Sequence, residues 1–193
     1  MASGNTNGKR SQSGAQRAPG AARKRTAASA GRSDPNPLRF SLWFFFGFLI
    51  VVLDQATKFY FERALDPGDV VPVLPGFNFV LAHNRGAAFS FLADAGGWQR
   101  WFFTILAAAV VVFVLRLLWK HGGKWLFSLS LTLIAAGAAG NLIDRALSGY
   151  VVDFIDLYWQ TWHWPAFNVA DIAICTGAAG LVLDELLGVA RDR

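Results

Sequence analysis

The stretch "GNLIDRALSGYVVDFIDLYWQTWHWPAFNVADI" occupies residues 140–172, in the most apolar half of the chain, yet it carries Asp144, Asp153, Asp156 and Asp171 together with Asn141 and Asn168. Ionised carboxylates are costly away from water, and acids retained within a membrane are candidates for function by default. The fold therefore depends on whether these acids lie in solvent or at a membrane edge.

Composition favours the membrane. Hydrophobic residues make up 54% and charged residues 16%, whereas a soluble domain carries nearer a quarter charged. The 8 Trp and 17 Phe are the raw material of aromatic belts at a bilayer surface. Cys175 is the one cysteine; it has no internal disulfide partner and reads as a small core residue. No zinc-type spacing of Cys and His and no glycine-rich phosphate loop is present, so neither a metal nor a cofactor is expected.

The net charge of +5 is unevenly spread. Eight basic residues fall in the first 39 positions, with Asp34 the only acid among them. Residues 1–37 are rich in Gly, Ala, Ser and Arg without apolar periodicity, and are expected to be a disordered basic cytoplasmic tail. A basic tail also allows nucleic-acid or lipid contact. A topology signal is the simpler reading, and no nucleic-acid partner is expected.

Stretches of about twenty apolar residues mark membrane helices, and four are expected, near 38–61, 98–118, 125–144 and 167–187. Together they make 38–193 a four-helix membrane domain. Lys120 and Lys124 with nearby Arg116, the basic tail, and Arg191 with Arg193 then share one side, which is cytoplasmic by the distribution of Lys and Arg. Both termini are cytoplasmic in this reading. The two longer connections lie outside. In the first, Val71, Val73, Phe77, Phe79 and Leu81 alternate as strand residues do, and a small sheet is expected. In the second, Trp159, Trp162 and Trp164 form an aromatic outer loop that anchors the interface, with His163 as an interfacial polar group.

Helix rise converts position to depth. Asp54 falls about 24 Å along the first helix from Leu38, in the outer part of a core about 30 Å thick. Asn141 and Asp144 end the outward-running third helix on one face. Asp171 begins the fourth, and Asp153 lies in the connection before it. Plainer roles exist for each acid. Asp54 can pair with Lys58 one turn on, Asp144 can balance Arg145, and Asn168 can cap the fourth helix with Asp171 in its first turn. Asp156 reads as an exposed loop charge. Two adjacent carboxylates can instead share one proton, the ionised member activating water and the protonated member donating to the carbonyl under attack. That chemistry hydrolyses an amide without a covalent intermediate. On physical grounds Asp144 and Asp153 both remain open as the partner of Asp171. A proton or ion carrier and a structural subunit glued by Asn and Asp are the rival classes.

Five segments in order, "LDQATK" (53–58), "HNRGAAFSF" (83–91), "GNLIDR" (140–145), "VVDFI" (151–155) and "FNVADIAI" (167–174), resemble the lipoprotein signal peptidase, or signal peptidase II, family over roughly 38–187. The resemblance implies an intramembrane aspartyl endopeptidase of the bacterial cytoplasmic membrane. Such an enzyme removes the signal peptide of a diacylglyceryl-modified prolipoprotein by cutting before the lipidated cysteine. It implies Asp153 and Asp171 as the catalytic pair, and that choice over Asp144 rests on the resemblance. Asp54, Asn84, Gly86, Asn141, Asp144, Arg145, Asn168 and Ala170 match positions that support the site or contact the substrate. Prolipoproteins and membrane lipids are the expected partners, and a single chain is expected to suffice. Ala136 stands where the family often has glycine, a difference confined to helix packing.

Overall fold

The computed structural model describes Met1, Gly4 and residues 36–86, 98–121 and 124–191. Residues 2–3 and 5–35 of the expected tail and residues 87–91 of the "HNRGAAFSF" segment lie outside the described residues. The chain divides into two units, Met1–Arg32 and Ser33–Arg193, and every element belongs to the second. The order is α1 (Pro37–Ala64), β1 (Val70–Leu74), β2 (Phe77–Asn84), α2 (Trp98–His121), α3 (Trp125–Leu147), β3 (Val151–Trp159), β4 (Trp162–His163) and α4 (Val169–Arg191). The class is the expected one, mainly helical with a small antiparallel sheet.

Among the described residues, three helices are long and apolar enough to cross a membrane: Pro37–Ala64, Arg100–His121 and Trp125–Leu147. The segment expected as a fourth span is α4, a 23-residue helix with Asp184 and Glu185 in its later turns, and it is not one of these three. Asn36 caps α1 by accepting the Arg39 N–H at 3.1 Å, and Pro37 opens the helix, the ordinary start signals. α3 is the central helix and packs on all three others. Its buried face is made of small and short polar residues such as Ser130, Thr132, Ala135, Gly137 and Gly140, which let membrane helices approach closely. A β-carbon at Gly137 would meet the Ala170 carbonyl oxygen and lie 2.8 Å from Ile174 Cγ1, so α4 closes directly on the α3 backbone. Val114, Leu118, Leu131 and Ala135 form the core between α2 and α3. The exposed face of α1, with Phe44, Phe45, Phe48 and Leu49, suits lipid. Cys175 is exposed on α4 rather than in the core. It follows Ala173 by two positions, which turns it off the buried stripe that Ala170 and Ala173 define.

The sheet order is β1-β2-β3-β4. The segment expected as an outer loop after α3 is mostly β3, and Gln160 and Thr161 turn it into β4. β2 pairs antiparallel with β3, with a register shift between Phe79 and Ala82. Phe61 near the end of α1 packs on Phe79 and Phe154, at 4.6 and 4.4 Å between ring centroids, and seats the sheet on the helix end. Asp156 is not an exposed loop charge. It is buried on β3 opposite Asn78, accepts the Asn78 amide at 2.8 Å, and receives His163 Nδ1 at 2.9 Å. A buried carboxylate needs such donors, and strand pairing supplies them. His163 accordingly ties β4 to β3 while remaining half-exposed.

Candidate active site

Asp153 and Asp171 come together because the start of α4 is stitched to β3. Phe167 donates to the Ile155 carbonyl at 3.1 Å, and its own carbonyl accepts from Phe154 and Ile155 at 3.1 and 2.9 Å. Asn168 follows directly and caps α4. Its Oδ1 accepts the Asp171 N–H at 3.0 Å, and the Asn168 N–H returns to Asp171 Oδ2 at 3.3 Å, a reciprocal capping arrangement. With Oδ1 so engaged, Nδ2 faces the other way and donates to Asp153 Oδ1 at 2.7 Å. One buried amide thus links the Asp153 carboxylate to the backbone that carries Asp171.

Asn84 is fixed by the same logic. Gly86, at φ +92°, donates its N–H to Asn84 Oδ1 at 2.9 Å, and Asn84 Nδ2 donates to Asp153 Oδ2 at 3.0 Å. A side chain at 86 would be strained in this conformation and would press on Phe103 at 2.6 Å. Asn141 completes the set. Its Oδ1 accepts Lys58 Nζ at 2.9 Å, and its Nδ2 donates to Asp171 Oδ1 at 2.9 Å. Each acid therefore receives two donors among the described residues, and Asp153 is 2% exposed. Burial pushes the Asp153 carboxyl up to about 7, against the pull of the Asn84 and Asn168 amides, and the nearby Asp171 charge pushes the same way. Asp171 lies in the first turn of α4, where the positive helix end attracts a negative charge.

The remaining expected residues surround this centre. Ala170, fully buried, donates its N–H to Asp54 Oδ1 at 2.8 Å, and the Val152 N–H reaches Asp144 Oδ2 at 3.3 Å. Lys58 bridges Asp54 and Asp144 at 2.8 and 2.9 Å. The simple pairing of Asp54 with Lys58 is real and is one strand of a larger network; the balance of Asp144 with Arg145 is replaced by Lys58. Arg145 lies with its guanidinium 5.6 Å from the Phe103 ring and acts electrostatically on Asp171, Asp153 and Asp144. All ten expected residues thus meet at one end of the helices. Sequence reasoning left Lys58 as a mere ion-pair partner and passed over Gln55. The Gln55 amide reaches Asp54, the Gly140 carbonyl and Asp144 at 3.3, 3.2 and 2.9 Å. The signal was present in the helical spacing of Asp54, Gln55 and Lys58, but not the identity of their partners on α3.

Paired, amide-dressed carboxylates at the end of a bundle of apolar helices fit a membrane-embedded enzyme of the aspartic-protease class. The family model Peptidase_A8, described as signal peptidase (SPase) II, matches residues 46–187. A lipoprotein signal peptidase of Cupriavidus necator is 55% identical over 150 residues, covering 78% of this chain and 86% of the relative. One of Ralstonia nicotianae is 52% identical over 149 residues, covering 77% and 86%. A solved structure described as a bacterial membrane enzyme superposes with a TM-score of 0.70 at 27% identity, covering 84% of this chain and 96% of its own. The chain belongs to the signal peptidase II family.

Proposed function

We propose that this enzyme cleaves diacylglyceryl-modified prolipoproteins before the lipidated cysteine, with Asp153 and Asp171 as the catalytic dyad. The observation that carries this reading is the Asn168 side chain, which donates to the Asp153 carboxylate and accepts the backbone N–H of Asp171. Asp153, raised to about 7 by burial, holds the shared proton below that pH. Asp171 takes a proton from water as the water oxygen attacks the scissile carbonyl carbon, and Asp153 donates its proton to the carbonyl oxygen. As the resulting diol collapses, one of its hydroxyls returns its proton to Asp153 and re-forms the carbonyl, the C–N bond breaks, and the proton on Asp171 passes to the leaving amine. Arg145 and the asparagine amides hold charge steady without reorganising.

The substrate class follows from family membership and from the site's position. A lipid-modified chain reaches carboxylates at a helix end laterally, from the bilayer. All four helices cross in this reading, and the basic residues around Lys120 and Lys124 and at both termini face the cytoplasm. Residues 1–37 are a cytoplasmic tail outside the peptidase domain, and one chain carries the whole dyad, so the monomer is active with membrane lipid as its surroundings.

The test is cleavage by purified protein in detergent of a prolipoprotein peptide with and without diacylglycerol. Wild type cleaves only the modified peptide, while folded Asp153→Asn and Asp171→Asn each lose at least about a thousandfold in kcat. Cleavage by either variant near the wild-type rate would remove the dyad.

A further inference from the structure

Lys58 is buried in α1, 2% exposed, and no step above uses it. An ammonium carries three N–H donors and no acceptor, and here all three are engaged. They go to Asp54 Oδ2 at 2.8 Å, Asp144 Oδ2 at 2.9 Å and Asn141 Oδ1 at 2.9 Å. Each partner leads to the dyad. Asp54 holds the N–H of Ala170, the residue before Asp171. Asp144 holds the N–H of Val152, the residue before Asp153. Asn141, obliged to turn its oxygen to the donor-only ammonium, turns its NH2 to Asp171.

We propose that Lys58 is the positioning residue of the dyad: one ammonium sets the spacing of the two backbones that carry the aspartates and the orientation of the amide that serves Asp171. The proposal rests on the reading of Asp153 and Asp171 as catalytic. It explains why a lysine is tolerated in an apolar helix, where an unpaired charge is costly. It also gives Asp54 and Asp144 their purpose, since each is a carboxylate clamp on a backbone N–H whose partner charge is Lys58. Gln55 braces the same two carboxylates from one side. The charged groups facing the cluster are Asp54 on α1, Asp144 and Arg145 on α3, Asp153 on β3 and Asp171 on α4.

Lys58→Met tests the idea, and Lys58→Met/Asp144→Asn guards against unfolding. The wild-type cluster of one ammonium and two carboxylates has a net charge of minus one, and the double variant keeps that value in Asp54 alone. Folding is checked by monodispersity and thermal midpoint, and kinetics are corrected for the folded fraction. Displacement of reacting groups by an ångström costs on the order of a hundredfold. The expected result in whichever variant folds is a kcat at least about 30-fold lower with KM within about threefold. The acidic limb of the pH profile of kcat also moves up by about one unit, as the dyad loses the Asn141 donor. A merely structural lysine lowers the folded fraction and leaves the limb where it was. A folded variant with wild-type kcat and an unmoved limb overturns the proposal. Active Asp153→Asn or Asp171→Asn enzymes would instead overturn the dyad on which it rests, so the two failures are told apart.

Discussion

Three asparagines do similar work by similar means. Asn84, Asn141 and Asn168 each have the carbamoyl oxygen engaged by a donor, from Gly86 N–H, Lys58 Nζ and Asp171 N–H respectively, and each then points its NH2 at an acid. An amide free to flip could offer an acceptor instead and repel the carboxylate, so fixing its polarity fixes the electrostatics of the site. Asp153 is held at a cost that is visible in pH. Its carboxyl ordinarily titrates at 3.8 and in the fold at about 7. Between these values the folded state holds the extra proton. The contribution of Asp153 to stability is therefore greatest below its ordinary value and is lost as pH rises through about 7, by roughly 1.4 kcal/mol for each unit of difference. Asp153→Asn removes that loss. Its apparent Tm relative to wild type should rise between about pH 5 and about pH 8; a difference that is flat or falling over that range would contradict the burial account. The residue types of the site were legible from sequence because acids are rare in apolar chains. The donors that orient each amide were not, since they come from backbone geometry such as the left-handed turn at Gly86.

The elements matter through their junctions. α3 and α4 meet across Gly137 and Gly140, and a β-carbon at Gly140 would collide with the Asp54 carboxylate. Gly137→Ala should push the Ala170 segment away from α3, because the Ala170 carbonyl leaves no room. A cost of about 1 to 3 kcal/mol is expected from such overpacking, together with a fall in kcat as Asp171 shifts with its helix. Thermal melts and cleavage assays on the same preparation check both, and an unaffected enzyme would mean that this contact is slack. The helices were legible to within a few residues because length and apolar content define them. The β2 strand was legible from its alternation. β3 was not, since it is buried on both faces through Phe154 and so lacks the alternation of a half-exposed strand. Asp156 looked like a loop charge for that reason, and only the cross-strand partner Asn78 and the hairpin partner His163 show why it is buried.

At the scale of the described bundle, apolar helices carry a small polar cluster at one end. Helices α1 and α3 hold Asp54 and Asp144 on Lys58, while the sheet and the α4 cap present two carboxylates free of any lysine or arginine salt bridge among the described residues. Structural acids and candidate catalytic acids are thus separated by what neutralises them. That distinction could not be read from sequence, where Asp144 and Asp153 looked alike; family resemblance favoured Asp153, and the Lys58 bridge to Asp144 is consistent with that proposal. The central claim is that Asp153 and Asp171 share one proton to activate water. It is tested most directly by the pH dependence of kcat/KM on a diacylglyceryl-modified peptide, which reports the free enzyme. A bell is predicted whose alkaline limb falls as pH rises through about 7, where Asp153 gives up the shared proton. Activity that stays level or climbs well above that pH would contradict a shared-proton dyad.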